Sequence, residues 1–158
     1  MAKGAIHFKK QLDEFVDEEV MGTALKLQRD IMTDLLGKLI MNTPVGLRQR
    51  WENNIKRQAK GLPLVPKGYV GGHARKNWQV TINRPAVQEL TGQDKSGRQT
   101  QLRGLQQIAN IKKPVIGYIT NRVPYIERLE QGWSKKVKPN GFVKQALQQI
   151  RIDYEMTG

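Results

Sequence analysis

Trp78-Gln79-Val80-Thr81-Ile82-Asn83 alternates apolar and polar side chains and is β-branched at Val80, Thr81 and Ile82, the pattern of a strand with one face on a core. Pro85 stops it. Val115-Ile116-Gly117-Tyr118-Ile119-Thr120 repeats the signal and predicts a second strand. Outward from these two stretches the periodicity changes. From about Phe8 to Met41, Phe8, Leu12, Phe15/Val16, Val20, Ala24, Leu27, Ile31, Leu35 and Leu39 recur at three- and four-residue steps, along one face of a helix. Roughly 33 residues at about 1.5 Å each make a rod of roughly 50 Å. Gly22-Thr23 is its expected kink or break, and Asn42-Thr43-Pro44 ends it, because the residue before a proline is driven out of the helical region.

The remaining segments read more weakly. Leu47, Trp51, Ile55 and Ala59 sit four apart and suggest a short basic helix, followed by Gly61, Pro63, Pro66, Gly68, Gly71 and Gly72, which break regular structure. Residues 46–72 therefore read as an extended arm or insertion. Residues 88–103 are rich in Gln, Thr, Gly and Ser and predict a mobile hairpin tip or loop, with a short helix from Leu102 to Ile111. Pro124 opens a short helix to about Gln131 that packs Tyr125, Leu129 and Ile126 inward. Gly132 to Asn140 reads as a basic loop. Gly141 then introduces a last helix with Phe142, Val143, Ala146, Leu147 and Ile150 on its apolar face. The sum is one α+β domain over 1–158: a long N-terminal helix, a small β-sheet, short helices packed on it and extended loops.

The net charge of +13 is unevenly spread. Residues 11–20 carry five acids (Asp13, Glu14, Asp17, Glu18, Glu19) and no base. Residues 46–113 carry fourteen Lys and Arg against three acids, a local excess of 14 − 3 = +11. Such a field attracts a polyanion or an acidic protein face. The chain has no cysteine, so it carries neither disulfides nor thiolate metal sites, in keeping with synthesis in a reducing cytoplasm. Neither a secretory leader nor an apolar run long enough to span a membrane is apparent.

Chemistry is sparse. His7 and His73 lie in neither metal-ligand nor nucleophile spacing, and His73, after two glycines, reads as a turn residue. Gly68, Gly71 and Gly72 are spaced wrongly for a phosphate-binding loop, and no helix is expected directly after them. The acids at 13–19 read as a solvated face, or a docking face for a basic neighbour, rather than a general acid/base pair. Trp78 reads as core. Trp133 divides between core and interface, and Trp51 reads as an exposed anchor of the kind enriched at contact hot spots. No catalytic residue, cofactor or metal is expected.

Two stretches are more specific. Thr43-Pro44-Val45-Gly46 is followed by Gly72-x-x-Arg75-x-x-Trp78 at a strand start. The second strand leads into Asn121, then Pro124-Tyr125-x-x-x-Leu129-Glu130-x-Gly132-x-Ser134, and Pro139-x-Gly141-Phe142 opens the last helix. In this order they resemble the neck and tail-completion proteins of long-tailed bacteriophages, a family that includes minor tail and head–tail joining proteins. The quoted signatures cover about a third of the chain; the insertion from Gly46 to Pro66 departs from the pattern. The resemblance implies a non-enzymatic virion protein at the head–tail junction, made in the host cytoplasm and assembled into a sixfold or twelvefold ring of its own copies. Connector and tail-terminator or tail-tube proteins would adjoin it, and phage DNA would cross its lumen. On this reading Trp51, Trp133, Lys135 and Lys136 are interface candidates, and Arg48, Arg50, Lys56, Arg57, Lys112 and Lys113 are candidates to face DNA. A basic nucleic-acid-binding module unrelated to virions is the alternative.

Overall fold

The computed structural model describes residues 13–46, 58–61, 71–132 and 141–156. The first helix is helical from Asp13, widens to a π-turn at Val16–Val20 and continues as α1, Met21–Asn42. The irregularity expected at Gly22-Thr23 thus falls one turn earlier, and Gly22 lies within α1. A single-turn helix, α2 (His73–Lys76), precedes strand β1 (Trp78–Ile82). Helix α3 (Arg98–Ala109) leads to strand β2 (Gly117–Asn121), followed by α4 (Ile126–Glu130) and α5 (Phe142–Asp153).

The two strands pair antiparallel, with Trp78 opposite Asn121, Val80 opposite Ile119 and Ile82 opposite Gly117. A two-stranded sheet is marginal by itself. Here one face is covered: Trp78 and Val80 join Met32, Leu36, Leu39 and Ile40 of α1, Ile108 of α3, Ile111, and Phe142 and Ala146 of α5 in one buried cluster. The Trp78 and Phe142 rings meet edge to face, centroids 6.4 Å apart. Helix α1 is the spine, packing on α3 along one side and α5 along another.

The buried seam of α1 matches the expected one at Leu39 and departs from it elsewhere. Met32, Leu36 and Ile40, at four-residue steps, are buried, whereas Ile31 and Leu35 are half-buried and Leu27 is exposed. The C-terminal half of α1 is apolar on adjoining faces, and the position of α3, β1 and α5 selects between them. Polar ties fix that position. The Gln28 amide pairs with both the N–H and the carbonyl of Val115, and Arg29 donates to the Ile111 carbonyl. Lys38 and Asp153 form an ion pair at 3.1 Å, and the Tyr154 hydroxyl donates to Asp34 at 2.7 Å, which pushes the tyrosine pKa up to about 12.

Two further differences concern segments read as loops. The third helix begins at Arg98, four residues before the expected Leu102, and Asp94 within the supposed mobile stretch is buried. Leu147, placed on the apolar face of the last helix, is 45 % exposed.

Candidate functional site

The first signature folds into a joint at the C-terminal end of α1. Thr43, fully buried, donates through Oγ1 to the Leu39 carbonyl and accepts Trp78 Nε1–H at 2.7 Å. Arg75 sets its fork across the helix end: Nη2 donates to the carbonyls of Thr43 (3.0 Å) and Met41 (3.3 Å), Nη1 to that of Lys95 (2.6 Å). A cation on the last carbonyls satisfies orphan acceptors and opposes the helix dipole. Gly72 adopts φ 91°, and its carbonyl accepts from Lys76 N and Asp94 N.

Asp94 holds the other side of this joint. Its carboxylate accepts from Gly97 N (2.9 Å), Ser96 Oγ (3.1 Å), and Thr100 N and Oγ1 (2.8 Å each). It thereby caps α3, whose own cap position, Gly97, has no side chain to offer. Burial by itself raises the Asp94 pKa, but the bonds from Thr100, Ser96 and Gly97 outweigh it and hold the group below its ordinary value. Burial lowers the pKa of Arg75 and of Arg103, and the Asp94 charge opposes both shifts. Arg103 in turn donates to the carbonyls of Lys76 and Trp78. Asn77, fully buried, pairs its amide with Leu90 N and O and with the His73 carbonyl. His73 bridges the Gly92 carbonyl and Glu89 Oε1, both at 2.7 Å. It opens the helical turn α2, which does follow Gly71 and Gly72 directly.

The second signature abuts the first. Asn121, paired with Trp78 in the sheet, donates to the Ala74 carbonyl at 2.7 Å and accepts from Val123 N. Pro124 is exposed before α4, Leu129 is half-buried against the core, and Gly132 closes the helix in a left-handed turn. Tyr125, at the N-terminal cap position of α4, is 38 % exposed and not packed inward as expected. Glu130 accepts from Val143 N (2.8 Å) and Lys144 N (3.0 Å) and so caps α5 from outside. Gly141 is buried at φ 71°, and a Cβ there would run into the Glu130 carboxylate. We expect Glu130→Ala to destabilise the fold by about 1 kcal/mol, the typical cost of a lost cap, measured by urea unfolding.

An open groove of about 330 Å³ lies beside this joint, lined by Trp78, Asn121, Ile126, Glu127, Glu130 and Val143. The Glu130 carboxylate in this groove is already engaged with the α5 amides. Among the described residues no group of three or more His, Cys, Asp or Glu side chains could hold a metal ion, and no helix is long and apolar enough to cross a membrane.

Of the DNA-facing candidates, Lys112 and Lys113 are exposed on the turn between α3 and β2, where Lys112 Nζ donates to the Ala109 carbonyl. Arg48, Arg50, Lys56, Arg57, Trp51, Trp133, Ser134, Lys135 and Lys136 lie outside the described residues. Sequence reasoning passed over Asp94, Asn77 and Gln28. Only Asp94 left a trace, as Asp94-x-Ser96 just ahead of a helix start. Comparison with known protein families, curated proteins and solved structures finds no match.

Proposed function

We propose that the chain is a structural subunit of the head–tail junction of a tailed phage, a neck or tail-completion ring component, with no catalytic step of its own. The observation that supports this is the pair of ordered signatures, six of whose members, Gly72, Arg75, Trp78, Asn121, Glu130 and Gly141, meet in one connected joint. Arg75 and Trp78 bind the end of α1, the Gly72 carbonyl accepts the Asp94 N–H beside them, Asn121 ties them to β2, and Glu130 with Gly141 seats α5 on the same core. A signature whose residues cooperate in one piece of architecture specifies a fold, as expected of a building block. In this reading copies of the chain close a ring between the connector and the tail-terminator or tail-tube proteins, and its basic surface faces DNA or an acidic neighbouring ring.

Deleting the reading frame from its phage genome should leave filled heads and complete tails that do not join, visible by negative-stain microscopy. Joined, infectious particles from the deletion would sink the proposal. The net charge of +13 favours a second reading, a nucleic-acid-binding module. For either, contacts to phosphates make affinity for a short duplex fall by about 10³ or more between 50 and 200 mM salt if six or more phosphates are neutralised. Filter binding at several salt concentrations measures it. A lumen-facing surface shows no preference between unrelated duplexes, whereas a marked preference for one duplex points to the module.

A further inference from the structure

The first helix carries different chemistry at its two ends. Every residue from Asp13 to Ala24 is exposed, and the first half-buried position is Leu25. This stretch nevertheless carries large apolar side chains in solvent: Phe15 is 57 % exposed and Val20 50 %, and Leu27 just beyond it 49 %. Asp13, Asp17, Glu18 and Glu19 are interspersed with them. A helical arm that buries nothing gains little from its own hydrogen bonds, since helices of this length are marginal in water without a packed face. Exposed apolar side chains with a charged rim are the usual form of a contact surface.

The opposite end of the helix offers the complement. Met41 is 68 % exposed beside the Arg75 guanidinium, which bonds both the Met41 and the Lys95 carbonyls. Gly97 closes against the Ile40 side chain, which brings the start of α3 to the same place. Arg98 and Leu102, one turn apart on α3, are both exposed, as is Lys95. This end therefore presents two apolar side chains, Met41 and Leu102, with two cations, Lys95 and Arg98. The long-range charge agrees. Residues 11–20 sum to −5 and the rest of the chain to 13 − (−5) = +18.

We infer that the arm of one copy docks on the Met41–Lys95–Arg98–Leu102 end of a second copy. Val20 and Ile40 are about 30 Å apart along a continuous helix, so a chain cannot lay its own arm on its own far end. The two surfaces differ, so the contact is heterologous and leaves each pair with one free arm and one free receiving end, the condition for a ring or a growing chain. The biological setting of this contact rests on the proposed head–tail role; the contact itself rests on the two ends.

The absence of cysteine allows a direct test. Val20→Cys and Lys95→Cys proteins, both substituted at exposed positions, are prepared separately, checked for parental circular dichroism, mixed and treated with a short bis-maleimide. The expected result is a cross-linked dimer in the mixture, well above either protein alone, that decreases several-fold when salt is raised. Cross-linking of the Val20→Cys protein alone to the same extent would mean a symmetric arm–arm contact and overturn the inference. So would the lack of a mixed cross-link at millimolar protein. A failed cross-link in a protein that still joins heads to tails removes this contact and leaves the proposed role. A mixed cross-link in a protein whose deletion leaves particles joined does the reverse.

Discussion

Asp94→Ala is expected to destabilise the fold by about 3 kcal/mol, the scale of losing a buried, hydrogen-bonded charge. In a chain of this size that lowers the melting temperature by roughly 10 °C. The substitution removes the acceptor for Gly97 N, Thr100 N and the Ser96 and Thr100 hydroxyls, and leaves Arg75 and Arg103 without their nearby counter-charge. Asp94→Asn should cost nearly as much. Each carboxylate oxygen faces a backbone N–H, Oδ1 that of Gly97 and Oδ2 that of Thr100. An amide in either orientation therefore sets its own NH₂ against a donor. An Asn variant as stable as the parent in urea unfolding would show that the carboxylate is not the element that holds α3.

The pH dependence has a definite sign. The folded-state pKa of Asp94 is depressed, so its contribution is complete above the unfolded value of about 3.9 and is lost as pH falls through the lower folded value. The stability difference between parent and Asp94→Ala should thus be constant from neutral pH down to about 4 and shrink below it. Subtracting the two curves isolates Asp94 from the other carboxylates.

Gly72→Ala should also be strongly damaging, at about 4 kcal/mol, combining a left-handed backbone with overpacking. At φ 91° a Cβ would stand 2.6 Å from Lys95 N and 2.7 Å from Asp94 C. Both are main-chain atoms, so no side chain can swing aside to relieve the contact. Differential scanning calorimetry measures the loss, and a shift of only a degree or two would contradict it. Combined with Asp94→Ala the two effects should fall short of their sum, because both open the same joint.

The signature residues show what a linear reading of this chain can and cannot reach. Trp78 and Val80 are buried as their alternation predicts, because strand periodicity is a property of neighbours in the chain. Glu130 accepts from the amides of Val143 and Lys144, thirteen and fourteen residues further on in α5, a pairing that no local pattern announces. Gly72 could be recognised as a turn, but the Asp94–Lys95 backbone that forbids any other residue lies more than twenty positions away. Arg75 gives no local hint that it closes the end of α1.

The chain by itself therefore determined the element types: a long helix ended by Thr43-Pro44, two short strands, a last amphipathic helix, and a charge distribution with acids at one end and bases beyond. These follow from periodicity, turn residues and net charge, which act over a few residues or need no geometry. Tertiary structure alone decided the rest. It buried Met32, Leu36 and Ile40 together with the expected Leu39, left Phe15 and Val20 in solvent, and turned Asp94 from a loop residue into the cap of α3. The physical reason is common to all three. Burial is conferred by whichever elements arrive from elsewhere in the chain, and a helix apolar on more than one side carries no internal instruction about which side they will meet.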